Sequence, residues 1–289
     1  MDNLNSSNSP CIAPRKTQRV MLDLLIALAP ATVAAIVFYG LKAAVIIAVC
    51  VGTSLLSEFI FNILARKEQT VGDLSAIVTG LLLALNLSTN VTIWQCLIGS
   101  IFAIVIVKCA FGGLGHNFVN PAIAAFVMLL IAFPEIKAAA PEALPSTLDM
   151  LLNNRNGAIG EACVVTLLAG GIYLLIRRVI SWHIPVIYIG ATFLLGFAFG
   201  GDVTTALFHT LCGGLIVGAV FMATDPVTSP KKWLGKIIFA VGCAILTVLI
   251  RFYGNYQEGA AFAILFLNIL CPYIDAIGSK KQTKEEAAK

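Results

Sequence analysis

Apolar runs of roughly 17–25 residues, the length that crosses ~30 Å of hydrocarbon, recur along nearly the whole of this 289-residue chain. Only short polar pieces separate them. Charged residues make up 12% of the sequence and apolar residues 59%, with a mean hydropathy of +0.93, whereas soluble domains carry about 25% charge. The chain therefore reads as an all-α, polytopic membrane protein. Its first twenty residues, MDNLNSSNSPCIAPRKTQRV, are polar and then basic, with no small-residue cleavage site before the first apolar run. A cleaved signal peptide is not expected.

Apolar length and punctuation divide the chain into ten segments, near 21–38, 41–65, 73–87, 91–110, 117–134, 160–180, 185–199, 203–223, 234–253 and 258–275. The third and seventh are short for a full span, and the fifth carries a proline one turn inside its start. Orientation follows from the basic residues, which concentrate on the cytoplasmic side. With the N-terminus inside, that side holds Arg15, Lys16, Arg19, Arg66, Lys67, Arg177, Arg178, Lys231, Lys232, Lys236, Lys280, Lys281, Lys284 and Lys289. The opposite side holds only Lys42, Lys137, Arg155 and Arg251. This asymmetry predicts ten spans with both termini cytoplasmic. Lys108 is expected to snorkel to the cytoplasmic interface. The divisions are a cytoplasmic segment 1–20, a first five-helix repeat 21–134, an outer loop 135–159, a second repeat 160–278 and a cytoplasmic tail 279–289.

The eight cysteines stand singly, with no CxxC and no Cys/His cluster, so neither a zinc site nor a self-contained iron–sulfur cluster is expected and no metal ligand is assigned; a single cysteine contributing to a metal shared with another chain stays open. A faint repeat is visible instead. GDLSAIVTGLLLALNL precedes an apolar span and then FGGLGHNFVNPA; IPVIYIGATFLLGFAFGGD precedes another and then FMATDPVTSP. Interrupted segments at matching places in two halves mark folds with a site between the halves. Non-helical backbone at membrane depth persists only where protein or a water cavity satisfies it, which singles out GGLGHNFVNPA and ATDPVTSP. Asn117 and Asn120 bring amide donors and acceptors. Asn120-Pro121 and Asp225-Pro226 suit helix starts, and a helix start aimed inward offers free N–H groups to an electron-rich ligand. The plainer alternative is a pair of well-capped helices with no ligand. Asn156-Gly157 is a turn signal, and Glu161 then falls at the start of an apolar helix, where a carboxylate suits the dipole. Asp23, Glu58 and Asp73 are further acids at helix ends or within spans, and Asp73 is equally a cap.

SPCIAPRKTQRVMLDLLIALAPA, GDLSAIVTGLLLALNL, GLGHNFVNPA, NGAIGEACVVTLLAGGIYLL, WHIP and FMATDPVTSP occur in an order and spacing similar to the RnfD/NqrB family, from about residue 9 to 278. These are flavin-bearing integral subunits of the Rnf and sodium-pumping NADH:quinone reductase complexes. The resemblance implies two inverted five-helix repeats of urea-transporter-like fold in the cell inner (plasma) membrane. It also implies a flavin-carrying subunit of a translocase that couples electron transfer between ferredoxin and NAD⁺ to movement of Na⁺ or H⁺. The implied partners are the other Rnf complex subunits, namely the membrane subunits, the G flavoprotein and the iron–sulfur subunits, together with the lipid bilayer. Nucleic acid is not among them. The implied cofactor is FMN, with riboflavin as a second flavin. Many relatives esterify FMN to the last threonine of a Ser/Thr-Gly-Ala-Thr signature. Here PEALPSTLDMLL lacks the Gly-Ala pair, and Cys11 replaces a histidine usual in SPxI. Non-covalent FMN is thus expected, with attachment at Thr147 as the alternative. The expected pocket residues are Thr147, Asn117, Asn120, Asn156, Gly157, Glu161, Asp225, Thr228 and Ser229. No nucleophile–base pair points to hydrolysis. The competing readings are a solute channel or carrier and a cofactor-free scaffold subunit.

Overall fold

A computed structural model of the chain describes residues 14–137, 144–152, 157–254 and 256–287, with side chains between 17 and 276. All regular structure among them is helical. In chain order the α-helices are α1 (Pro14–Tyr39), α2 (Leu41–Leu64), α3 (Ser75–Asn86), α4 (Ile93–Ile101), α5 (Pro121–Ala132) and α6 (Thr147–Leu152). They continue with α7 (Val164–Ile176), α8 (His183–Gly200), α9 (Val203–Leu211), α10 (Leu215–Val217), α11 (Trp233–Tyr253) and α12 (Gly259–Ala287). Each of the ten apolar segments carries helix. On length and composition, five stretches cross a bilayer unaided: Thr17–Tyr39, α2, α8, α11 and Gly259–Ala276. A sixth, α9 with α10 and its continuation, qualifies as one span bent by 57°. The chain is a multi-pass membrane protein.

Local chemistry sets the helix starts. Asn120 caps α5, its Oδ1 accepting from the N–H groups of Ala122 (3.0 Å) and Ile123 (3.3 Å). Pro121 is therefore the first helical residue rather than an interruption, at a position where its missing N–H is not needed. Thr92 and Gln95 form a reciprocal capping box at α4. Asp202 caps α9 through the Thr205 N–H at 3.0 Å. One length expectation is corrected. The seventh segment looked short because it was cut at Pro185, but α8 begins two residues earlier and spans 18; a proline in the first turn does not break a helix.

Three of the short helices lie inside. α3 has twelve residues, about 17 Å of rise, and all but one of them are buried. α5 is buried along nine of its twelve, and α10 with its continuation through Met222 is buried throughout. The long helices α1, α2, α8 and α11 surround them and present Val37, Leu56, Phe59, Ile60, Val186, Leu194 and Ile245 outward. Helix ends that stop inside the protein thus have protein partners, as the absence of water in hydrocarbon demands.

Candidate functional site

Two inner helices end in the same way. α4 widens into a π-helix over Phe102–Cys109, and α10 into one over Gly218–Met222. Each closes on a bond reaching five residues back, from Ala110 N–H to the Val105 carbonyl (2.9 Å) and from Ala223 N–H to the Gly218 carbonyl (2.7 Å). A π-turn takes up one residue more than an α-turn and re-aims the side chains after it, which is why such turns gather at functional sites. Each π-helix runs straight into one of the polar, proline-bearing loops. Both loops face one cleft.

The cleft encloses about 660 Å³ of empty space, part of it open to solvent. Val20, Met21 and Leu24 of α1, Val78 and Leu82 of α3, and Val179 and Ile180 supply apolar wall. Asn117, Asn120, Asp225, Thr224, Thr79, Ser75 and Lys108 supply the polar part. Asn120 and Asp225 join the loops, with Nδ2 donating to Oδ2 at 3.3 Å. The other Asp225 oxygen accepts from Val227 N–H at 3.0 Å. The Asp225 carbonyl accepts from Thr228 and Ser229 N–H, which folds the second loop over itself. Asn117 donates to the Val119 carbonyl at 3.0 Å, but its buried Oδ1 has no partner among the described residues. A buried acceptor left unmatched costs about 1–3 kcal/mol, and this one belongs to a cleft-lining residue.

Lys108 does not snorkel. It is 2% exposed, with Nζ 2.8 Å from Glu58 Oε1, itself on a residue 1% exposed, and 2.5 Å from Ser75 Oγ. Ser75 Oγ donates to Asp73, which also accepts from Ser75 N–H at 2.8 Å, so Asp73 is the cap of α3. Thr70 Oγ1 donates to Glu58 at 2.6 Å and receives Asn62 Nδ2 at 3.0 Å. The re-aiming by the π-helix puts Lys108 inside the protein, where the α2 carboxylate meets it.

A second polar centre sits at the break between α9 and α10, where Gly213 and Gly214 take φ of +72° and +75°, a region suited to glycine. Arg251, buried in the last turn of α11, forks onto the carbonyls left open by α9: His209, Cys212 (3.0 Å) and Gly213 (2.7 Å). Glu161 accepts from the Gly214 N–H at the start of α10. The guanidinium thus faces a helix C-terminus and the carboxylate a helix N-terminus, each opposing the local dipole. A small cavity here is bordered by Asn86, Ser88, Gly213, Gly214 and Glu258. Ser75 lines the cleft and Asn86 the second cavity, so the length of α3, about 17 Å, separates the two.

The expected pocket residues fall apart accordingly. Asn117, Asn120 and Asp225 line the cleft, with Thr228 and Ser229 buried in the same loop. Glu161 belongs to the helix break, capping α10 rather than its own helix, and Gly157 leads into its turn. Thr147 begins α6, exposed, and borders neither cavity; α6 rests on α7 and α9. Asn156 lies outside the described residues, as do Cys11 and residues 138–143 and 153–155 of the outer loop. Arg251, read as a charge outside the bilayer, is instead buried within the helix bundle. Reasoning along the chain missed Lys108, Arg251, Glu258 and the Gly213-Gly214 pair. The one available signal was a basic residue inside an apolar segment with an acid in another.

The family model for NQR2, RnfD and RnfE matches residues 5–284. The chain belongs to this NQR2/RnfD/RnfE family. Among its relatives, the D subunit of the Na⁺-translocating ferredoxin:NAD⁺ oxidoreductase complex of Acetobacterium woodii is 41% identical over 94% of this chain and 93% of its own length. The D subunit of the proton-translocating ferredoxin:NAD⁺ oxidoreductase complex of Clostridium ljungdahlii is 34% identical over 93% and 92%. The D subunit of an ion-translocating oxidoreductase complex of Halorhodospira halophila is 32% identical over 91% and 90%. The match thus spans the α9–α10 break and both π-helical loops.

Proposed function

We propose that this chain is the integral membrane D subunit of an Rnf-type translocase, working beside the other Rnf subunits to couple ferredoxin:NAD⁺ electron transfer to ion movement. The carrying observation is the family match over nearly the full length. The names of its relatives divide between Na⁺ and protons, so the ion is not assigned. Ten membrane crossings, two inverted five-helix repeats at 21–134 and 160–278, and cytoplasmic termini are part of the same reading. The two π-helical units run the same way; four segments apart, they are alike in what they build, not partners in an inverted pair.

The same reading places a flavin in the protein. The cleft suits a flat ring with polar edges: its walls are apolar and Asn117 Oδ1 is free to accept a ring N–H. Among the described residues its one cation, Lys108, is already engaged by Glu58 and Ser75. A ring without phosphate, as in riboflavin, is therefore better matched there than FMN. FMN belongs to the outer face in this proposal, with Thr147 as the exposed hydroxyl. When bound, a flavin supplies one-electron carriage. The chain's own part is to seat the ring, join both loops through Asn120 and Asp225, and keep water from the apolar wall.

The test is made on the purified complex, by denaturing it, separating released flavin and weighing the intact chain. Released flavin with an unmodified chain mass is the expected result. A gain of one FMN mapped to Thr147 replaces the non-covalent reading with the covalent one. A colourless, intact complex defeats the flavin assignment and leaves a carrier or scaffold.

A further inference from the structure

The cleft carries unlike charge on two of its walls: Lys108 on the first, Asp225 on the second. Lys108 borders the cleft, whereas its counter-ion Glu58 does not. An occupant therefore touches the residue that bears the positive charge and not the one that balances it, in surroundings where burial keeps charges from being screened. A buried ion pair is poor evidence for stability, because apolar replacements of similar size are often as good. The arrangement calls for another explanation, and the second loop offers none, since Asp225 bonds to Asn120 rather than to Lys108.

We propose that Lys108 sets the electron affinity of the cleft. Its fixed positive charge favours a ring that has gained an electron over the same ring before it. The inference rests on the flavin reading of the cleft. The exchange is one electron, lost by a reduced iron–sulfur or flavin centre of a neighbouring Rnf subunit and gained by the ring; no covalent bond forms or breaks at Lys108. The π-helix is the device that brings this residue to the cleft wall, where Glu58 and Ser75 hold its ammonium.

The experiment is a spectroscopic redox titration of the intact complex with mediators. Leu114→Trp, which fills the cleft from a half-buried loop position, first identifies the cleft flavin as the signal it removes. In Lys108→Met that signal shifts to more negative potential, by about tenfold in the equilibrium constant for the first electron, or about 59 mV for a one-electron couple. Lys108→Arg restores it. Because Lys108→Met strands Glu58, the neutral pair Lys108→Met/Glu58→Gln is titrated as well and keeps a shift in the same direction. Flavin retained at unchanged potential in both methionine variants overturns the role of Lys108 while leaving the cleft as the flavin site. A double variant that returns to the original potential overturns it too, since the freed carboxylate then explains the shift. If Leu114→Trp keeps every flavin, the cleft reading itself fails.

Discussion

Single residues matter most at the α9–α10 break, where one guanidinium serves three carbonyls. Arg251→Met leaves those buried carbonyls without their donor, and an acceptor left unpaired in this way costs about 1–3 kcal/mol. Arg251→Lys recovers only part, because an ammonium cannot fork. Thermal unfolding of the purified protein measures this; a methionine variant within about 0.5 kcal/mol of the parent, the range of an ordinary surface change, contradicts the account. This residue also shows where reading along the chain runs out. Arg251 ends an apolar segment, which is how an interfacial charge looks in sequence, and its partners lie some forty residues away. Lys108 was opaque for the same reason, its carboxylate partner standing fifty positions earlier. Asn120 was legible because a cap is local: the asparagine, the proline and the first turn are consecutive.

Among the elements, α1 and α7 show how close packing without water depends on small residues. A Cβ on Gly170 of α7 meets the backbone carbonyl of Ala27 in α1, and backbone cannot move aside as a side chain can. Around the same position on Gly190 of α8, nothing among the described residues lies within 4 Å. Two chemically identical substitutions thus have opposite expected signs. Gly170→Ala pushes α1 from α7 and lowers stability by about 1–3 kcal/mol, as overpacking does. Gly190→Ala raises it by up to about 1 kcal/mol through helix propensity. Parallel melting curves decide, and equal signs count against the packing described. Helix positions were legible because apolar length is read locally. The two π-helices were not, since their extra residue alters hydrogen bonding without altering hydropathy.

For the whole molecule, the testable matter is which end faces which compartment. Apart from Cys163, every cysteine among the described residues is buried, so native thiols give a low background to an impermeant maleimide once Cys11 is replaced. Lys281→Cys should label only in inside-out vesicles, and Lys42→Cys, on an exposed residue, only in right-side-out ones. The reverse pattern inverts the orientation, and labelling of both from one face removes an odd number of crossings. The charge asymmetry that predicts this survives the burial of Arg251, which only thins the outer side further.

One feature of the cleft bears on folding itself. Its walls are drawn from α1, from both π-helical loops and from the turn after α7, pieces up to some two hundred positions apart in sequence. Anything seated there bonds the folded form and not the unfolded one, adding RT ln(1 + [L]/Kd) to its stability. Occupancy and folding are then one equilibrium seen from two ends. A cell short of the cleft's occupant would lose the protein to quality control before it noticed a shortage of turnover.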